Sequence, residues 1–320
     1  MTSLVETRGR RDRETNGPRD QGTTGPGDQG TKGPGDQGTK GGTRRVLWGI
    51  ARTELRLAVR SRWMQVFTAV FATLALAVAM SGYVLSGGSG MQDFARTSAS
   101  LVQLVILLVP LTALVFGVMA AAPERGDAEL LFSQPVSRRV VLAGKVLGVF
   151  VALAAAELIG FSLAGLVVFS QAGNDGLPSF AGVAAGALAL TAMFLSLAAG
   201  VAAGSTSERR AHHLAATLVV WLVTVVLFDI AALGVASMLP TTIASRLLIV
   251  SAIVNPVDAV RTGTLLAVEG TSAFGAASLA FLRVTGGIAW AAAWLTLSIV
   301  FWIAAPFVLA SIKIERADIG

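Results

Sequence analysis

Residues 100–145 read SLVQLVILLVPLTALVFGVMAAAPERGDAELLFSQPVSRRVVLAGK, and this stretch decides the fold. From Ser100 to Ala121 it carries no charge, and it is long enough to cross a hydrocarbon core of about 30 Å, which takes roughly 20 helical residues. Pro123 to Lys145 is polar, and a second apolar run starts at Val146. Glu124, Asp127 and Glu129 give the polar stretch an acidic beginning, while Ala128, Leu130, Leu131 and Phe132 form a short apolar cluster. Pro135 removes the N–H that a continuing helix would use, so a short helix is expected to stop before Gln134. Ser137 can cap the next one. Arg138 and Arg139 then stand in a first turn that disfavours each cation by roughly 0.3–1 kcal/mol. Anionic lipid offsets this by about 1 kcal/mol per charge. The stretch reads as a lever on a membrane surface between two bilayer crossings.

The rest of the chain agrees. Of its 320 residues 54% are hydrophobic and 14% charged, with a mean hydropathy of +0.70. That is far too apolar for a soluble domain of this length. Six spans are expected, at 65–85, 100–121, 146–170, 180–203, 214–239 and 284–312. The basic residues alternate between their connections. Fourteen Lys and Arg fall in 44–62, 125–145, 209–210 and 313–316, against four on the other side, Arg96, Arg246, Arg261 and Arg283. The positive-inside rule then places both termini in the cytoplasm and the chain in the cell membrane. The net charge of +6 is explained by this asymmetry, not by nucleic acid.

Residues 1–42 hold three eight-residue units, GPRDQGTT, GPGDQGTK and GPGDQGTK, with almost no apolar side chains. Such a tract cannot bury enough surface to offset its chain entropy and is expected to be a disordered cytoplasmic tail. From 43 to 64 the pattern turns helical: Arg45, Arg52, Arg56 and Arg60 fall within an arc of roughly 80° and Leu47, Ile50, Leu55 and Leu57 lie opposite. This predicts a helix lying in the interface, with Glu54 on its apolar side. The remainder, 65–320, is read as one six-span domain. Its outer connection, 240–283, is too long for a simple loop. There Leu247 to Val254 is too short to span and Asn255-Pro256 breaks it, so two short helices are expected. Gly182 with Gly186, and Gly200 with Gly204, have the spacing of close helix contacts.

Two acids lie inside spans, Glu157 and Asp229, roughly 17 and 22 Å from the cytoplasmic ends at the helical rise. An ionisable group at that depth is a functional candidate. The pair is expected either to face one cavity as a substrate path or to be hydrogen-bonded by hydroxyls such as Ser162, Thr217 or Thr224. His212 and His213 lack the i, i+4 spacing of a chelating pair and no metal site is expected. There is no cysteine, so thiolate chemistry is excluded. Gly87-Gly88-Ser89-Gly90 matches a motif of intramembrane serine proteases, but it falls in an outer loop, with the histidines across a hydrocarbon core of about 30 Å. Nucleophile and base cannot meet.

The arrangement resembles the permease subunits of type-2 ABC transporters. Gly49 to Trp63, GIARTELRLAVRSRW, looks like their elbow helix, with Arg52, Glu54, Arg56, Arg60 and Trp63 as its marked residues. Glu124, Gly126, Glu129, Leu130, Leu131, Ser133, Pro135, Ser137, Arg138, Gly144 and Lys145 fit the family's coupling segment, from which Asp127 and Ala128 depart. Leu227-Phe228-Asp229-Ile230, and Asn255-Pro256-Val257-Asp258 with Arg261, are similar to motifs of the branch that serves nitrous-oxide reductase maturation.

The resemblance implies an all-α permease, not an enzyme, that pairs with a second copy of itself and binds two copies of a separate ATPase. ATP and Mg²⁺ would sit on that ATPase, and no cofactor is expected on this chain. Closure of the ATPases would push the 123–137 segment, through Glu124, Gly126, Asp127, Glu129, Leu130, Leu131, Phe132, Pro135 and Arg138, and tilt the second and third spans. The implied cargo is a sulfur species exported to a periplasmic or extracellular maturation partner for a copper-sulfur centre. The alternative cargo is a lipophilic drug, a peptide or a lipid. An ion channel would need no ATPase and would leave the coupling segment without a task.

Overall fold

The computed structural model describes residues 37–84, 91–121, 137–172, 177–203, 210–270 and 275–316. Outside them lie most of the expected disordered tail, the Gly87–Gly90 turn, Gly204 and the expected coupling residues Glu124, Gly126, Asp127, Glu129, Leu130, Leu131, Phe132 and Pro135. Every described element is helical: α1 Gln37–Arg60, α2 Arg62–Val84, α3 Met91–Ala121, α4 Arg138–Ala172, α5 Leu177–Ala202, α6 Arg210–Leu222, a π-helical turn Val223–Leu227, α7 Phe228–Ser237, α8 Thr241–Val254, α9 Pro256–Glu269, α10 Ala276–Thr285 and α11 Ile288–Arg316. Six stretches are long and apolar enough to cross a membrane, 62–81, 97–121, 138–170, 180–202, 212–237 and 288–316. The fifth is α6, the π turn and α7 in series.

Four spans form the core. Helix α3 packs on α5 and α2 on α4, enclosing Phe71, Leu114, Leu153, Leu190, Met193 and Phe194. Lipid tails are as apolar as these side chains, so close packing rather than escape from water must hold the helices together. Alanine supplies the closeness: Ala75, Ala113, Ala164, Ala187 and Ala198 are buried where helices meet. Edge-to-face rings continue it through Phe71, Phe161, Phe180 and Phe169, a geometry that aromatic quadrupoles favour.

Helix α1 docks along α4, through a contact that the small-residue reading did not include. A Cβ at Gly148 would lie 2.5 Å from the Ala51 carbonyl oxygen and 2.6 Å from Glu54 Cβ, and one at Gly144 would lie 2.8 Å from Ile50 Cγ2. Gly144 and Gly148 are four apart, so one glycine face of α4 admits the α1 backbone. Of the glycines singled out by spacing, Gly186 is a close approach of this kind, since a Cβ there would run into Thr264 Oγ1 on α9, while Gly182 and Gly200 would meet only ordinary contacts, 3.8 and 3.6 Å away. Arg52, Arg56, Arg60 and Trp63 are exposed, and Glu54 is half-buried. Helix α1 starts at Gln37 and breaks at Ser61, whose N–H reaches both the Leu57 and Ala58 carbonyls (3.1 and 3.0 Å).

Among the described residues, the connection between the fifth and sixth spans holds three helices, α8, α9 and α10, where two were expected. Gly286 and Gly287 have φ of +91° and +113° and end α10. That conformation suits glycine alone, and it moves the start of the sixth span from 284 to Ile288. Helices α8 and α9 bend by 99° at Asn255. The fifth span differs from the rest of the bundle, since between Thr217 and Ala236 no residue is buried within the chain.

Candidate functional site

Polar groups from several helices converge at the bend between α8 and α9. Pro256 sits at the first position of α9, where its missing N–H is not needed. Asn255 caps that helix, its Oδ1 accepting from Val257 N at 3.1 Å. Its Nδ2 donates to the Asp258 carboxylate (3.1 Å) and to the Thr224 carbonyl in the π turn of the fifth span (3.0 Å). A π turn loosens the regular i to i−4 ladder and recurs at functional sites. The last carbonyls of α8 face the sixth span, where Ser298 Oγ donates to Ile253 O (2.5 Å) and Trp302 Nε1 to Val254 O (2.9 Å). Non-helical backbone at membrane depth requires partners of this kind. The junction is held by the fifth and sixth spans together.

Beside it lies a charged cluster. Arg261 Nη1 donates to Asp229 Oδ2 at 3.0 Å and to Asp258 Oδ1 at 3.1 Å. Two carboxylates from different helices share one guanidinium nitrogen. Asp258 lies one turn before Arg261 on α9, while Asp229 reaches it from α7 across 32 residues of sequence. The side chain of Asp258 is 12% exposed, those of Arg261 and Asp229 35% and 40%. The cluster opens on the uncovered side of the fifth span. Paired in this way, charges can be kept in an apolar surround. The arrangement can order α7 against α9 and present a polar face within the bilayer.

Glu157 has a different setting. It is 1% exposed, and Thr191 Oγ1 on α5 donates to its Oε1 at 2.5 Å. Its Oε2 has no hydrogen-bond partner among the described residues. The expectation of one cavity shared by Glu157 and Asp229 is therefore corrected: the first is enclosed between α4 and α5, and the second belongs to the α7–α9 cluster. The hydroxyl expectation holds in kind for Glu157, through Thr191 in place of the hydroxyls named. Ser162, Thr217 and Thr224 all donate to carbonyls of their own helices, Leu158, Leu214 and Val220. Thr191 escaped the sequence reading, although it is one of only two hydroxyls between Phe180 and Ala202.

At the opposite end of the bundle, Arg139 pairs with Glu315. Arg138 is half-buried. His213 Nε2 is buried without a partner among the described residues, and no group of three metal-ligating side chains occurs among them.

Known proteins resemble this chain along nearly its whole length. A family model described as ABC-2 family transporter protein matches residues 48–319. The "Probable ABC transporter permease protein NosY" of Pseudomonas aeruginosa is 31% identical over 281 residues, covering 86% of this chain and 99% of that protein. The protein of the same name from Stutzerimonas stutzeri is 32% identical over 272 residues, covering 82% and 96%.

Proposed function

Because the chain belongs to the ABC-2 family of transporter proteins, we propose that it is the membrane half of an ATP-driven exporter. It is a multi-pass membrane permease, a transport subunit rather than an enzyme. Permeases of this family work with an ABC ATPase, generally as dimers. ATP and Mg²⁺ are then handled by the ATPase, and this chain binds neither.

One observation supports the reading above all others: the similarity spans nearly the full length of the relatives, and the two stretches at 227–230 and 255–261 that carry the motif resemblance come together in one hydrogen-bonded junction. The uncovered fifth span supports a second copy of the chain as its neighbour. The Asp229–Arg261 pair, more than a third exposed there, would otherwise face lipid, where charge is costly. The distribution of Lys and Arg supports cytoplasmic termini, an interfacial role for α1, and a cytoplasmic place for the 123–137 segment. That segment, with Glu124, Gly126, Asp127, Glu129, Leu130, Leu131, Phe132, Pro135 and Arg138, is the proposed ATPase contact. The motif resemblance at 227–230 and 255–261 favours a sulfur species as cargo, passed to a periplasmic or extracellular partner for copper-sulfur centre assembly.

Co-expression with the ATPase tests the assignment. The unaltered permease should retain the ATPase on purification and Glu129→Lys should lose it while still inserting in the membrane; equal retention would refute the contact. Sulfide should stimulate ATP hydrolysis by the reconstituted complex. Stimulation by lipophilic drugs, peptides or lipids alone would replace the sulfur cargo with the alternative.

A further inference from the structure

Arg139 and Glu315 meet across 176 residues of sequence, and the permease reading gives their pair no task. Arg139 Nε faces Glu315 Oε1 and Nη2 donates to Oε2, so the guanidinium holds the carboxylate by both oxygens. Most exposed ion pairs contribute little, but a two-pronged arginine pair is the exception.

Helix electrostatics show how these two residues depend on each other. Arg139 stands in the first turn of α4, where a cation is disfavoured, and Glu315 in the last turn of α11, where an anion is disfavoured. Each is on the wrong end of its own helix. In contact, the carboxylate of Glu315 lies at the positive end of α4 and the guanidinium of Arg139 at the negative end of α11. Both penalties are relieved only while the two ends stay together. Behind the pair, Leu142 of α4 and Ala310 of α11 are buried in one small cluster with Ala199, against which Phe307 and Ile314 pack.

Helix α11 links this contact to the outer junction. Ser298 and Trp302, which hold the Ile253 and Val254 carbonyls, lie on the same helix as Glu315. Ser298 is roughly 26 Å from it along the axis at 1.5 Å per residue. Resting on the permease reading above, we propose that Arg139 and Glu315 are positioning residues that make α11 follow the start of α4. Displacement of α4 at the cytoplasmic side then shifts α11 and, through Ser298 and Trp302, moves the junction at Asn255. The pair is the coupling contact between the two ends of the transporter.

The chain has no cysteine, so Val254→Cys places a single label at the junction, where the side chain is half-exposed. The full-length permease and its ATPase, reconstituted in nanodiscs, would be labelled with a maleimide with and without ATP and vanadate. The labelling rate should change with nucleotide in the Val254→Cys parent, lose that change in both Arg139→Glu and Glu315→Arg, and regain it when the two are combined. Each single reversal improves the end charge of its own helix, so a lost response is not explained by unravelled ends. Arg139→Lys keeps the charge but not the fork and should retain part of the response. A response preserved in the single variants, or not restored in the combined one, overturns the proposal. So does a parent that hydrolyses ATP yet shows no change at 254. A parent that neither retains the ATPase nor supports hydrolysis overturns the permease reading itself, and the two failures are thus told apart.

Discussion

The fourth and fifth spans, 180–202 and 212–237, look alike as sequence and behave differently in the fold. The fifth is the more apolar of the two, yet none of its most apolar stretch is buried, whereas over half of the fourth's is. Bilayer crossing depends on hydropathy, but burial within the bundle depends on side-chain size. The fourth span presents Ala187, Ala198 and Ala199 to its neighbours, and small residues let helix backbones approach. The fifth points Leu218, Val219, Leu227, Ile230 and Leu233 away from the chain. It also carries the π turn and Asp229, the features that tie it to the α8–α9 junction.

Substitutions can break or sharpen that contrast. The largest effect is expected in the fourth span: Leu190→Ala removes a fully buried side chain and should cost about 2–5 kcal/mol, read as a lowered unfolding midpoint in detergent. Leu233→Ala in the fifth span should cost no more than about 0.5 kcal/mol in a detergent that separates the proposed dimer. In the intact dimer its cost should rise toward that of Leu190→Ala, and an equally small loss there would mean that no second copy covers this face.

Arg261→Ala comes next. It leaves two carboxylates without their shared partner, and should cost about 2 kcal/mol, reduced from the fully buried value because the group is partly exposed. Adding Asp229→Asn should recover part of the loss in thermal unfolding, since a carboxylate no longer lies unpaired beside the junction. An unchanged double variant would show that the cluster is not held by charge.

A smaller change at the junction is Trp302→Phe, which keeps an aromatic body and removes the N–H that the Val254 carbonyl accepts. It should cost about 1 kcal/mol and raise amide exchange locally around 253–257. Uniform exchange across the junction would mean that Ser298 alone suffices to pin it.

Much of the architecture was legible in the chain, and the reasons are physical. A hydrocarbon core sets a minimum apolar length, so the second and fourth spans were located to within a few residues. Asn255-Pro256 marked the bend because proline cannot continue α8 and asparagine caps α9. The site was legible only as parts. Asp229, Asn255, Asp258 and Arg261 could each be singled out, but nothing in their spacing joins a residue of the fifth span to one 32 positions later. The Gly144–Gly148 face was hidden among many other glycines, and Thr191 was passed over for hydroxyls nearer in sequence. Those hydroxyls were already satisfied by their own helix carbonyls, the usual fate of Ser and Thr within a span.

Sequence alone determined that this is a six-span, all-helical membrane protein with a polar hinge between its fifth and sixth spans, because solvent preference is a property of each segment by itself. Tertiary structure decided which span is enclosed and which is bare, that Asp229 and Asp258 share Arg261, and that Arg139 meets Glu315. Those outcomes depend on which helix faces lie opposite each other. In a bilayer, where every span is apolar, that is set by the fit of small side chains and by paired charges rather than by hydropathy.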